Sequence, residues 1–113
     1  MEIVGKEYAS KYKVITLCGS TKFKNEFQQE MKRLTLEGNI ILSCGLFNHA
    51  DNEGISDDVK HMLDDMHLRK IDMSDGIFVI NKDGYIGEST RREINYAKSL
   101  NKEVTYLENV VDT

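Results

Sequence analysis

The chain has 113 residues, 40% of them hydrophobic and 30% charged, with a formal net charge of −4. That length suits one domain, 1–113, built around a single core. The acidic balance speaks against a nucleic-acid backbone as the main partner, and no apolar run is long enough to span a bilayer. The opening stretch to Tyr12 carries Glu2, Lys6, Glu7 and Lys11 and lacks the apolar segment of a secretory signal, so a cytoplasmic location is expected. Residues 1–12 and 109–113 are expected to be peripheral, with the acidic end fraying.

In chain order, Lys13 to Cys18 is a β-branched, apolar run ending at Gly19-Ser20-Thr21, which reads as a buried strand followed by a turn. From Lys22 to Glu37, Phe23, Phe27, Met31 and Leu34 recur at helical spacing, and Gly38 stands where a helix C-terminus favours glycine. Asn39 to Cys44 repeats the strand pattern and feeds a long polar loop. Ser56 followed by Asp57 and Asp58 predicts a capped helix to about Met73, with Val59, Met62, Leu63, Met66 and Met73 on one face. Gly76 to Asn81 is a third strand. A glycine-punctuated loop then leads to a helix from about Arg91 to Leu100, with Ile94, Ala97 and Leu100 as its apolar side, and Glu103 to Leu107 is a last strand. Cys18 and Cys44 each close a strand-like run and form no C-x-x-C pair, so buried thiols are expected, with neither a disulfide nor a zinc site.

Alternation of strand and helix predicts an α/β fold with a parallel sheet and helices on both faces. Right-handed crossovers make 2-1-3-4 the simplest strand order, with a topological switch between strands one and three. Ligands of such sheets bind beyond the carboxyl ends of the strands at the switch. The loops after Cys18 and after Asn81 therefore converge, which requires no knowledge of relatives.

Gly19-Ser20-Thr21 offers a glycine, two hydroxyls and the amides of a helix start, a combination suited to an anion; an ordinary helix cap is the competing reading. The segment from Gly84 through Tyr85, Gly87, Glu88, Ser89, Thr90, Arg91 and Arg92 to Glu93 is denser in polar chemistry than a strand-to-helix loop requires. Thr90 to Glu93 also matches a capping box, which would give Glu93 a structural role. Arginine at this loop suits bidentate phosphate pairing, though adjacent helical residues diverge, so at most one of Arg91 and Arg92 is expected in a pocket.

Three segments, Leu17-Cys18-Gly19-Ser20-Thr21, Asp75 to Ile80, and Glu93-Ile94-Asn95-Tyr96-Ala97, resemble the nucleoside 2-deoxyribosyltransferase-like superfamily, and the likeness spans about Val14 to Leu107. That superfamily includes deoxyribosyltransferases and 5′-monophosphate N-glycosidases on a flavodoxin-like or Rossmann-like fold. The resemblance implies that Glu93 is a nucleophile attacking the anomeric carbon, with Glu88 the alternative carboxylate. It implies a phosphate held by Gly19, Ser20 and Ser89, with Thr90 or Arg91, and a base or sugar against Tyr85. For Tyr85, an exposed loop aromatic or a subunit contact is the other reading. Active relatives often carry an Asp before strand three; here that position falls near His67, with Asp64, Asp65 and Asp72 as neighbouring substitutes. His49 and Asp51 reach the same sheet end and suit a base-binding wall better than a metal. No cofactor is implied. The expected partner is a nucleoside or nucleotide, the expected assembly a homodimer, and the competing function a non-catalytic nucleotide-binding sensor or sequestering module.

Overall fold

The structure, a computed structural model, describes residues 11–110. Expectations for residues 1–10 and for the last three residues lie outside the described residues. The elements are β1 (Val14–Gly19), α1 (Lys24–Leu36), β2 (Ile40–Leu42), α2 (Asp57–Asp72), β3 (Gly76–Ile80), a short 3-10 turn (Lys82–Gly84), α3 (Glu88–Ser99) and β4 (Glu103–Tyr106). All pairings are parallel, in the order β2-β1-β3-β4 that the crossover argument predicts.

The pleat sends alternate residues of a strand to opposite faces, and here it divides the core in two. Ile15 and Leu17 of β1 and Phe78 and Ile80 of β3 meet Phe27 and Leu34 of α1 on one side. Cys18, Ile77 and Val79 meet Ile71 of α2 and Ile94 and Ala97 of α3 on the other. Helices thus cover both faces, and the switch between β1 and β3 opens at the carboxyl edge of the sheet. No helix of the described residues is long and apolar enough to cross a membrane.

α2 departs from its predicted face. Met62, Met66 and Met73 are 51%, 42% and 68% exposed, and of the whole helix only Ile71 is buried in the core, with Leu68 packed beside it. Of the three methionines, only Met66 lines the open cleft that α2 overlooks together with Lys60, Leu63, Asp64 and His67; Met62 and Met73 are exposed outside it. Ser56 caps it as expected, accepting from the Val59 amide at 3.3 Å, with Asp57 and Asp58 in the first turn.

Gly19 ends β1 at the point where β1 and β3 run closest to the cleft. Its φ is +156°, and a β-carbon there would lie 2.8 Å from the Ile80 carbonyl oxygen and 3.0 Å from the Ile80 β-carbon. Backbone cannot yield as a flexible side chain would. Gly19→Ala is therefore expected to cost about 2–3 kcal/mol, read as a lower midpoint in urea unfolding.

Candidate functional site

Neither hydroxyl after β1 caps a helix. α1 begins at Lys24 with Phe23 as its cap residue and no side-chain cap bond. Ser20 accepts from the Lys22 amide at 3.3 Å, a local turn, while Thr21 Oγ1 pairs with His49 Nδ1 at 2.5 Å and so ties the β1 loop to the loop after β2. The capping-box reading of Thr90 and Glu93 is likewise corrected. α3 opens three residues earlier than expected, because Gly87, in extended conformation, supplies the carbonyl that receives the Arg91 amide at 3.0 Å. Thr90 is buried inside the first turn, and Glu93 lies a further turn along, free of any capping duty.

The two loops meet around a cavity of about 600 Å³. Gly19, Ser20 and Thr21 form one side of it, and Tyr85, Gly87, Glu88, Ser89, Thr90 and Glu93 another. The long loop after β2 contributes Asn48, His49 and Glu53, and α2 contributes Lys60, Leu63, Asp64, Met66, His67 and Lys70. Tyr85 stands at the rim, 47% exposed, edge-on to Phe23 with centroids 6.0 Å apart and with Lys22 Nζ 3.7 Å above its ring. This contact closes the β1 loop against the β3 loop.

Several residues chosen from the sequence lie elsewhere: Asp51 pairs with Lys24 at 2.9 Å and Asp65 with Arg69 at 3.8 Å, both outside the cavity lining. Asp72 ends α2 outside the cavity lining, where it accepts from the Tyr96 hydroxyl at 2.5 Å and pairs with Arg69 at 3.0 Å. Gly84, with φ +79°, shapes the end of the 3-10 turn. Arg91 projects to solvent, since the helix turns it away from the wall that Thr90 joins. Arg92 also stays outside the lining and bridges the rim, 3.2 Å from Ser89 and 4.0 Å from Asp64. Sequence reasoning in turn passed over Lys60 and Lys70, the cations of the cavity wall, and Lys70 Nζ donates to the Ser43 carbonyl at 2.7 Å.

At the deep end three side chains gather. His67 Nε2 is 3.4 Å from Cys18 Sγ and 3.7 Å from Glu93 Oε1, and the His67 and Glu93 side chains are only 12% and 13% exposed. Burial holds the Glu93 carboxyl up at about 7; the nearby Asp64 charge raises it further, while a hydrogen bond from Cys18 and the charges of Arg92 and Lys60 oppose this. Burial also brings His67 down to about 4, with the Lys70 ammonium pushing the same way and a Leu17 carbonyl bond opposing. Cys18, fully buried, is raised well above the usual thiol range by desolvation and then by Glu93. Near neutral pH the cluster therefore consists of a thiol, a neutral imidazole and a carboxyl close to half ionised, so the 3.7 Å contact is no ion pair.

No protein-family model and no curated protein matches the chain.

The chemistry must accordingly be read from the chain's own groups. A titratable carboxyl at the bottom of a partly apolar cleft, with hydroxyls, backbone amides and two lysines around it, is equipped to bind a polar, anionic organic molecule and to act on it as a nucleophile or base.

Proposed function

We propose that the protein cleaves or transfers the N-glycosidic bond of a nucleoside, deoxynucleoside or 5′-monophosphate, with Glu93 as the nucleophile. The observation carrying this reading is the setting of Glu93. It has no structural duty in α3, it is largely desolvated, and it faces a cavity also lined by Gly19, Ser20, Ser89 and Thr90. In the reaction, a Glu93 oxygen bonds to the anomeric carbon as the carbon–nitrogen bond breaks, and the bonding pair leaves with the base, which gains a proton. Water or an acceptor base then attacks the same carbon, loses its proton, and releases Glu93. His67, neutral at working pH, and Asp64 are the groups on hand to relay those protons. Ser20, Ser89 and the uncapped amides opening α3 suit the 5′-phosphate, and Lys60 and Lys70 supply countercharge.

The purified protein, incubated with nucleosides and their 5′-monophosphates, is expected to release free base measurable by chromatography. Release should be faster from the monophosphates, whose negative charge the lysines favour.

One observation favours a second reading, a nucleotide-binding module without turnover: His67 stands where an ionised acid would serve, and it is too buried to hold a proton at neutral pH. Calorimetric binding of a nucleotide with no base released would select that reading.

A further inference from the structure

Three donor atoms of different chemistry, Cys18 Sγ, His67 Nε2 and a Glu93 carboxylate oxygen, lie within 4.8 Å of one another. Two of the separations are 3.4 Å for sulfur to nitrogen and 3.7 Å for nitrogen to oxygen. A tetrahedral zinc ion, with bonds of about 2.3 Å to sulfur and about 2.1 Å to nitrogen or oxygen, sets its ligand atoms roughly 3.4–3.6 Å apart. The two separations through His67 match that spacing to within about 0.3 Å, and the sulfur-to-oxygen separation is at most 4.8 Å.

The geometry points to a binding site for a zinc-like divalent cation formed by Cys18, His67 and Glu93, with its fourth position toward the cavity. A mixed sulfur, nitrogen and oxygen donor set selects zinc and its first-row neighbours over magnesium or calcium, which prefer oxygen alone. The donors come from three separate elements, β1, α2 and α3, and the β1 and α3 donors sit next to residues of one packed core, so the site is assembled by the fold and not by a mobile loop. His67 and Glu93 both line the cavity, which provides the route of entry.

Binding leaves oxidation states unchanged: the metal replaces the thiol proton and any carboxyl proton, both released to solvent, while the neutral imidazole binds as it is. If Glu93 acts as proposed above, a metal held on its carboxylate withdraws the negative charge that attack requires and the loaded protein is switched off. Only this consequence rests on that reading; the site itself does not.

The test is titration of the metal-free 113-residue chain with cobalt chloride, followed by optical absorption, and then with zinc chloride. One cobalt per chain should bind, with a near-ultraviolet thiolate-to-cobalt charge-transfer band that one equivalent of zinc removes. The band should vanish in Cys18→Ser and persist in Cys44→Ser, and Glu93→Gln should weaken binding roughly 100-fold or more while keeping the band at saturation. No charge-transfer band at saturating cobalt, or a band that follows Cys44 instead of Cys18, would overturn the site. Should Cys18→Ser fail to fold, the Glu93→Gln affinity decides: undiminished affinity there also overturns it. None of these readings involves turnover, so failure of the metal site and failure of the glycosidic reading are separately visible.

Discussion

Replacing Glu93 by glutamine is expected to make the protein more stable, by roughly 3 kcal/mol above pH 7, with the gain disappearing below about pH 4.5. The folded state holds the Glu93 proton up to about pH 7, whereas an ordinary glutamate releases it near 4.5. A carboxyl raised on folding contributes its full share of stability below the unfolded value and loses it as pH rises through the folded value. Glutamine is neutral throughout and avoids that loss while retaining the volume and a partner for Cys18. His67 works in the opposite sense. Its folded value of about 4 lies below the ordinary 6.5, so its contribution is complete above 6.5 and is lost as pH falls toward 4. In the wild-type protein the two slopes offset each other between about pH 4.5 and 6.5, so these two groups together give a flat profile there. Glu93→Gln leaves only the histidine slope. Urea unfolding of both proteins from pH 4 to pH 8 measures the difference directly, and a difference independent of pH would mean that Glu93 is not held protonated in the fold.

The same substitution is expected to lower base release by roughly 1,000-fold or more, because an amide oxygen neither attacks an anomeric carbon efficiently nor departs from it. As the proposed nucleophile, Glu93 would attack only in its ionised form, so kcat/KM should rise with pH and level off above about 7. A gain in stability together with a loss of turnover is what a group kept desolvated for chemistry should give; a residue serving only the fold would lose stability on substitution. The pair of measurements therefore separates a functional carboxyl from a structural one.

The sheet order, the two-faced core and the meeting of the loops were all legible in the sequence, because β-branched runs at Val14 to Cys18 and Gly76 to Ile80 and the handedness of crossovers leave few alternatives. The wall contributed by α2 was not. Periodicity reveals that Val59, Leu63 and Met66 share a side but is silent on whether a strand or a cleft faces it. Thr90 and Glu93 were spaced as a capping box, yet Gly87 opens α3 first, and a three-residue shift in the start of a helix is enough to turn a cap into an active-site candidate. Cys18 shows the same limit. Its burial followed from its strand, but its neighbours His67 and Glu93 come from distant parts of the chain, and only their convergence in the fold sets the thiol beside an imidazole and a carboxyl.

The most direct test of Glu93 as the nucleophile is intact-protein mass spectrometry after rapid acid quenching of a reaction with a deoxynucleoside 5′-monophosphate, metal chelator present. The expected result is a mass increase equal to the sugar phosphate, mapped by peptide digestion to the segment containing Glu93 and absent from Glu93→Gln. Base release without such an adduct, an adduct mapped to another residue, or no base release from any nucleoside or nucleotide would contradict it.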